Sequence, residues 1–349
     1  MKKIYWFLIA AVVITLLVLL FSFINRDRMM DRMIEMAMLR NGANAEYLDD
    51  REGIRVITLG TASPVPTERN QTGTAVIVDG EFFLFDAGYG VIRQAETEKL
   101  PVDRISAVFI SHWHSDHFID LPYAINRSWQ LGRNRPLDVY GPEGLDTVLQ
   151  GIDLLLKYEN VHRIEHHGVD VMNPNHEIVN HRIIQANQSE ASVIFEKNDL
   201  KVIAFEACHE PISPSFGFRI EYKGKSVVIS GDTRENCPNV LKYSEGADLL
   251  LHEAMLKDVF VKGSELMNEV GNERNAKILE DIIEYHTTPA DVGKMATKAN
   301  VKKVVLHHFA PAPDNLIMER RYRSDLSKHF KGPISLAEDG DEFYISINQ

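Results

Sequence analysis

Residues 111–117 read Ser-His-Trp-His-Ser-Asp-His and follow directly on the apolar run Ala107-Val108-Phe109-Ile110. Three imidazoles and one carboxylate therefore fall within six positions. That set suits Zn²⁺, with Mn²⁺ and Fe as competitors. The run before it has the length and the β-branched, aromatic character of a buried strand. On an extended continuation, alternation puts His112, His114 and Asp116 on one side and turns His117 to the other, within reach of a second ion. A chance cluster of surface histidines is the competing reading.

Four further apolar runs end in residues of the same kind. They are VIAFEACHE with His209, VVISGDT with Asp232, DLLLHEA with His252 and Glu253, and VVLHHF with His307 and His308. Any one of these alone is an ordinary histidine or acid after a strand. Together they fit an α/β sheet, which delivers function at the carboxyl ends of its strands. Strand-like runs recur at 55–60, 74–78, 82–88, 107–112, 201–209, 216–222, 226–232, 248–254, 302–309 and 342–347. Helical patterns fit 118–131, 143–157, 274–285, 289–299 and 315–329. No Pro/Gly/Ser-rich linker divides residues 53–349, so one α/β domain is predicted there.

The N-terminus obeys different physics. Ile4 to Ile24 is uncharged over 21 residues, long enough to cross a bilayer core of roughly 30 Å, with Tyr5 and Trp6 at an interfacial position. No small-x-small cleavage site follows, so residues 1–25 read as a single-pass anchor that would meet membrane lipid through residues 4–24. A cleaved signal peptide and a buried core helix are the alternatives. Residues 26–52 read as a juxtamembrane helix and linker, whose methionines could pack on the domain, lie on lipid or form a homodimer seam. Lys2 and Lys3 precede the span and Arg26, Arg28, Arg32 and Arg40 follow it, so the positive-inside rule hardly discriminates. The short basic tail points to a domain outside the cytoplasm. Composition, 44% hydrophobic and 25% charged, excludes disordered and low-complexity classes. Cys208 and Cys237 are too few for a four-thiolate zinc site, and their pairing is open.

The ordered set, HxHxDH after a buried strand and then His, Asp and His downstream, resembles the metallo-β-lactamase-fold hydrolases. Within them it is most similar to the ribonuclease Z branch and the neighbouring arylsulfatase-like and cyclic-phosphodiesterase-like hydrolases. The match runs from about Ile54 to Ile347. It includes LGTASPVPTERNQTG as the first strand and loop, LFDAGYGVIRQ with Asp86 in the fold's structural aspartate position, and the HEA, HTT and HHF segments. The resemblance implies a four-layer αβ/βα sandwich over residues 53–349 and two divalent metal ions, zinc first. The first ion would take His112, His114 and His209, and the second Asp116, His117 and His308, with Asp232 bridging both. His307 would be a neighbouring packing residue. Asp116 would orient the attacking water and accept its proton, and Glu253 with His286 would protonate the leaving oxygen.

Two departures bear on substrate. Ribonuclease Z enzymes often carry a basic arm between the equivalents of His209 and Asp232. Here the 22 intervening residues read as a strand hairpin. A long segment, residues 257–285, then separates Glu253 from His286 and could form a lid; its Lys257, Lys262 and Arg274 read as a solvated face rather than an anion site. Residues 45–349 hold 32 of the 38 basic and 47 of the 50 acidic residues, a charge of about −15. That gives little attraction for an RNA backbone. A small phosphodiester or sulfate ester is therefore the expected substrate. Cleavage of transfer RNA precursors at their 3′ end is the alternative, and a metal-free or carboxyl-ester/lactone-acting member of the fold a second one. His162, His166, His167, His176 and His181 are expected on an exposed, substrate-facing loop.

Overall fold

The computed structural model describes residues 2–42 and 52–347. The chain divides into two compact units, Met1–Tyr47 and Leu48–Gln349. The first holds helices α1 (Lys2–Ile24) and α2 (Arg26–Gly42). Tyr5–Ile24 has a mean hydropathy of 3.1 and is long and apolar enough to cross a membrane. Residues 43–51 of the expected linker lie outside the described residues.

The second unit is built on two mixed seven-stranded sheets. In chain order the first takes β1 (Gly53–Gly60), β2 (Gly73–Val78), β3 (Glu81–Phe85), β4 (Ile105–Phe109), β5 (Leu137–Gly141) and β6 (Val179–Ile183). The second takes β7 (Ser192–Lys197), β8 (Leu200–Glu206), β9 (Phe216–Tyr222), β10 (Lys225–Ile229), β11 (Leu249–Met255), β12 (Val304–Ala310) and β13 (Ile334–Leu336). The last strand, β14 (Glu342–Ser346), returns to the edge of the first, beside β1. Both sheets combine antiparallel hairpins with a parallel half: β3-β4-β5-β6 in one, β10-β11-β12-β13 in the other. Within these halves β3, β4, β11 and β12 are near-continuous buried runs because both their faces are covered.

Between the sheets, Phe83, Phe85 and Phe109 pack on Phe216, Phe218 and Val202. The rings of Phe85 and Phe109 stack at 4.8 Å, and Phe85 meets Phe218 at 5.1 Å. Helices close the outer faces, giving the four-layer αβ/βα sandwich. The helices of this unit are α3 (Val91–Thr97), α4 (Ser115–Phe118), α5 (Leu121–Gln130), α6 (Leu145–His167), α7 (Pro174–Glu177), α8 (Pro238–Tyr243), α9 (Lys257–Glu269), α10 (Glu273–Asp281), α11 (Pro289–Lys298) and α12 (Leu316–Ser327). A second apolar cluster, with Val292, Ala296, Tyr322 and Leu326, seats α11 and α12 on the second sheet.

One arrangement positions the site. β8 runs parallel to β10 across the antiparallel β9, and β11 and β12 run parallel to β10. The carboxyl ends of these four strands therefore reach one edge of the second sheet, where the loop after β4 of the first sheet meets them.

Two expectations need correction. The histidines at 162, 166 and 167 are on α6, which continues ten residues beyond the predicted end to a left-handed Gly168; His176 is on α7 and His181 on β6. Polar residues after Lys157 hide the helical period, yet a solvated helix needs no apolar stripe there. Alternation also fails beyond His114, which caps a single helical turn carrying Asp116 and His117.

Candidate metal centre

Five elements converge on this edge. The loop after β4 and the turn α4 carry His112, His114, Asp116 and His117. The loop after β8 carries His209, the loop after β10 carries Asp232, and β12 carries His308. His112, His114, His209 and Asp232 present ligand atoms within 4.8 Å of one another, and so do Asp116, His117 and His308. His112 Nε2 stands 2.9 Å from His114 Nδ1, which is 3.4 Å from His209 Nε2. In the second set His308 Nε2 lies 3.2 Å from both His117 Nε2 and Asp116 Oδ2. Asp232 Oδ2 is between the sets: 3.3 Å from His117 Nε2, 3.3 Å from His308 Nε2 and 4.0 Å from His112 Nε2. All seven residues predicted from the sequence are thus brought together.

Local backbone explains two of these placements. His308 is the extra residue of a β-bulge, since Glu253 pairs with His307 and Ala254 with Phe309. Its φ of 44° turns the side chain out of the strand's alternation and into the cluster, leaving His307 buried beside it. Gly231 precedes Asp232 with a φ of 61°, and a Cβ there would fall 2.3 Å from the Phe216 carbonyl oxygen. Only glycine lets the loop bring Asp232 down at this point.

Neighbouring groups fix which nitrogen faces inward. His117 Nδ1 donates to Asp86 Oδ2 at 2.8 Å, and Asp86 in turn accepts from Ser111 N and Ser111 Oγ. His209 Nδ1 donates to the Tyr285 carbonyl at 3.2 Å. In both imidazoles Nε2 is left for the cluster. Burial lowers the pKa of His112 and His114, and takes His209 down to about 4, so these imidazoles are neutral near pH 7 and able to accept a cation. Burial opposes charge on His117 and His308 as well, but Asp232 and Asp116 outweigh it and raise both. Asp232 is held well below the usual carboxylate range against the cost of its burial, first by His308 and then His117. Buried imidazole nitrogens aimed at one another, with two carboxylates among them, fit a pair of divalent cations.

A cavity of about 210 Å³ opens over the cluster. Its polar side includes Asp116, Asp232, His286 and His308, and its other wall is Val65, Met255, Ile282, Tyr285 and Ala310. Among the described residues no Lys or Arg lines it. The 257–285 segment builds part of that wall: Phe260 on α9 packs against Met255 and Ala310, with Val65, Leu279, Ile282 and Ile283 around them. Lys257 pairs with Glu235 and Lys262 with Glu265, while Arg274 bonds Asn275. None of the histidines at 162, 166, 167, 176 or 181 lines this cavity. Glu253 is buried on β11, where Oε1 accepts from Thr287 N at 2.8 Å. Its Oε2 is 3.3 Å from His286 Nδ1, an ion-pair separation without hydrogen-bond direction. His252 faces elsewhere, with Nδ1 donating to the Glu253 carbonyl oxygen.

Residues between His209 and Asp232 form the β9–β10 hairpin, turned by Lys223 and Gly224, and no arm protrudes. Cys208 and Cys237 form a disulfide beside the cluster, a pairing the sequence left open.

Residues 82–309 match the beta-lactamase superfamily domain. A ribonuclease Z of Mycolicibacterium paratuberculosis is 28% identical over 293 residues, covering 82% of this chain and 96% of that protein. Among solved structures, the metallo-beta-lactamase fold protein YhfI from Bacillus subtilis superposes with a TM-score of 0.59 at 16% identity, over 84% of this chain and all of that one. The short form of human tRNase Z gives 0.58 at 23% identity, over 83% and 98%. The chain belongs to the beta-lactamase superfamily and is a hydrolase of the metallo-β-lactamase fold, similar to curated relatives named ribonuclease Z.

Proposed function

We propose that the protein is a dinuclear metal-dependent phosphodiesterase of the ribonuclease Z type. The observation that carries this is the double cluster sharing Asp232, with Glu253 and His286 on the same opening. His112, His114 and His209 would hold one ion, Asp116, His117 and His308 the other, and Asp232 would serve both. When bound, such a pair of ions polarises the ester and makes water nucleophilic at neutral pH. Asp116 then orients the water and takes its proton. His286, oriented by Glu253, gives a proton to the leaving oxygen on the far side. Thr287 N holds Glu253 Oε1, so the carboxylate keeps its other oxygen towards His286.

The relatives' name puts RNA first as substrate, where the short stretch between His209 and Asp232, the acidic composition and the N-terminal anchor put a small ester first. A second reading, a small phosphodiester or sulfate ester outside the cytoplasm, rests on three observations. No arm protrudes between His209 and Asp232, no Lys or Arg among the described residues lines the cavity, and a disulfide accompanies an N-terminal helix apolar enough for a membrane. The test is one purified protein, loaded in turn with Zn²⁺, Mn²⁺ and Fe²⁺. It is offered a transfer RNA precursor with a 3′ trailer, bis-p-nitrophenyl phosphate and p-nitrophenyl sulfate. Endonucleolytic removal of the trailer supports the RNA reading. Turnover of the small esters alone selects the second, and turnover of none with metal bound refutes both.

A further inference from the structure

We propose that the Cys208–Cys237 disulfide positions His209 and Asp232, so that the first of the two metal sites is complete only in the oxidised chain. The inference rests on the dinuclear reading above. His209 follows β8 and Asp232 follows β10, and these strands are not neighbours, because β9 lies between them. No ladder hydrogen bond therefore joins the two strand ends. What holds the loops together is local: Arg234 N donates to the Cys208 carbonyl at 2.7 Å, and Cys208 N donates to Thr233 Oγ1 at 3.3 Å. The covalent tie is the disulfide, with Cα atoms 5.6 Å apart. Cys208 is the residue before His209, and Cys237 lies five residues beyond Asp232.

The two clamped residues are one half of the four-residue cluster; His112 and His114, from the other sheet, are the second half. A shift between the loops therefore changes the spacing of that cluster directly. Asp116, His117 and His308 lie on no clamped loop, so the second set would feel the shift through Asp232 alone, whereas the first would feel it through both His209 and Asp232. Opening the disulfide should thus weaken one site selectively, which a general loss of rigidity would not do.

A reductant also has a path. Both half-cystines are buried, yet Cys237 lines a second cavity of about 320 Å³, with Arg234, Glu235, Asp291 and Lys294 among its walls. Among the described residues that cavity shares no lining residue with the one over the metal cluster. A small thiol can enter there without passing the reaction site. Its thiolate attacks one sulfur and forms a mixed disulfide while the other cysteine leaves as thiolate. A second thiol then releases the first cysteine, so that two thiols are oxidised to one disulfide and the cystine is reduced to two thiols.

The test uses the full chain in detergent, oxidised, reduced with a phosphine that is then removed, and as the Cys208→Ser/Cys237→Ser variant. Thiols are counted, metal per chain is measured under chelator competition, and melting is followed by circular dichroism. The oxidised chain should hold two zinc ions. The reduced chain and the variant should hold one tightly and the other at least tenfold more weakly, below their melting temperature, with reoxidation restoring the reduced chain. Equal affinity for both ions in all three forms overturns the proposal, and so does loss of both ions together. If the double variant does not fold, the wild type reduced after folding carries the same comparison. An oxidised chain that binds no metal refutes the dinuclear reading itself, which is a different failure from two ions that ignore the disulfide.

Discussion

Replacing His286 with alanine separates the acid role from every other use of this residue. The His286 ring is 5.5 Å from that of His209 and 5.6 Å from that of His308, and it lines the cavity where a leaving group must depart. Two neighbours on that cavity are poor proton donors. Burial raises the Tyr285 hydroxyl above its ordinary value, and Asp116, lowered first by His117 and then His308 against its burial, stays ionised. General acid catalysis is worth about 10²–10⁴ in rate. The Glu253–His286 contact is an ion-pair distance without hydrogen-bond alignment, so the lower end applies. An alkyl phosphodiester should therefore slow by roughly a hundredfold, about 2.7 kcal/mol of transition-state stabilisation. A nitrophenyl ester, whose leaving group needs little help, should slow by only about threefold. Glu253→Gln keeps an oxygen for Thr287 N but removes the charge. It should cost about tenfold on the alkyl substrate and alter the shape of the acid limb of the pH profile. The assay is kcat/KM on both substrates, with metal content measured on each variant. His286 also groups with Asp232 and His308 at ligand distance. Loss of metal in the variant would make it a ligand or a support for one, and equal losses on both substrates would refute the acid role.

Other perturbations give equally direct readings. Asp232→Ala should lose more metal than any other single ligand change, below one ion per chain by elemental analysis, because its Oδ2 adjoins both sets. Asp86→Asn keeps an acceptor but removes the charge behind His117 Nδ1, and should weaken one site 10–100-fold in a competitive zinc titration. In the chelated chain, burial holds His209 at about 4 and His307 at about 3, below the ordinary 6.5. Below about pH 5.5 the unfolded chain holds protons at these two positions that the folded one refuses, while His117 and His308, raised in the folded chain, are protonated in both states. The unfolding free energy should therefore fall as pH drops from about 5.5 to 4, and urea denaturation at about pH 5.5, 5 and 4.5 measures it. Deleting residues 1–44 should leave a soluble protein with one cooperative melting transition in the presence of zinc, checked by calorimetry.

The site was legible because its chemistry is written locally. His112, His114, Asp116 and His117 share one segment, and His209, Asp232 and His308 each end an apolar run, so residue type and position along a strand were enough to nominate them. What residue order could not supply is the distance between segments far apart in the chain. Cys208 and Cys237 are 29 residues apart and lie on loops from strands separated by β9, and only the folded sheet brings their Cα atoms to 5.6 Å. Likewise β5, β6 and β7 leave little mark on the sequence: β5 alternates only weakly, and β6 and β7 are largely exposed strands of mixed polarity whose stability comes from their neighbours. The α9 helix escaped because its first turns carry Lys and Asp beside Val and Phe, and only Phe260 is buried.

The bulge at His308 shows why a strand ending in two histidines is more informative than it looks. In a regular strand His307 and His308 would face opposite sides of the sheet, and only one could reach the edge cluster. The inserted residue breaks that alternation at the carboxyl end of β12, with a left-handed backbone at a non-glycine position. Asp86, at the end of β3, has the same conformation, with a φ of 58°, and it is the residue that orients His117. Two non-glycine residues at positive φ thus sit on either side of one imidazole, one from each sheet. Backbone of this kind costs of order 1–3 kcal/mol and persists only where the surroundings fix it. The sandwich supplies that constraint, and in return the two sheets present their ligating side chains at a separation that two flexible loops would not hold.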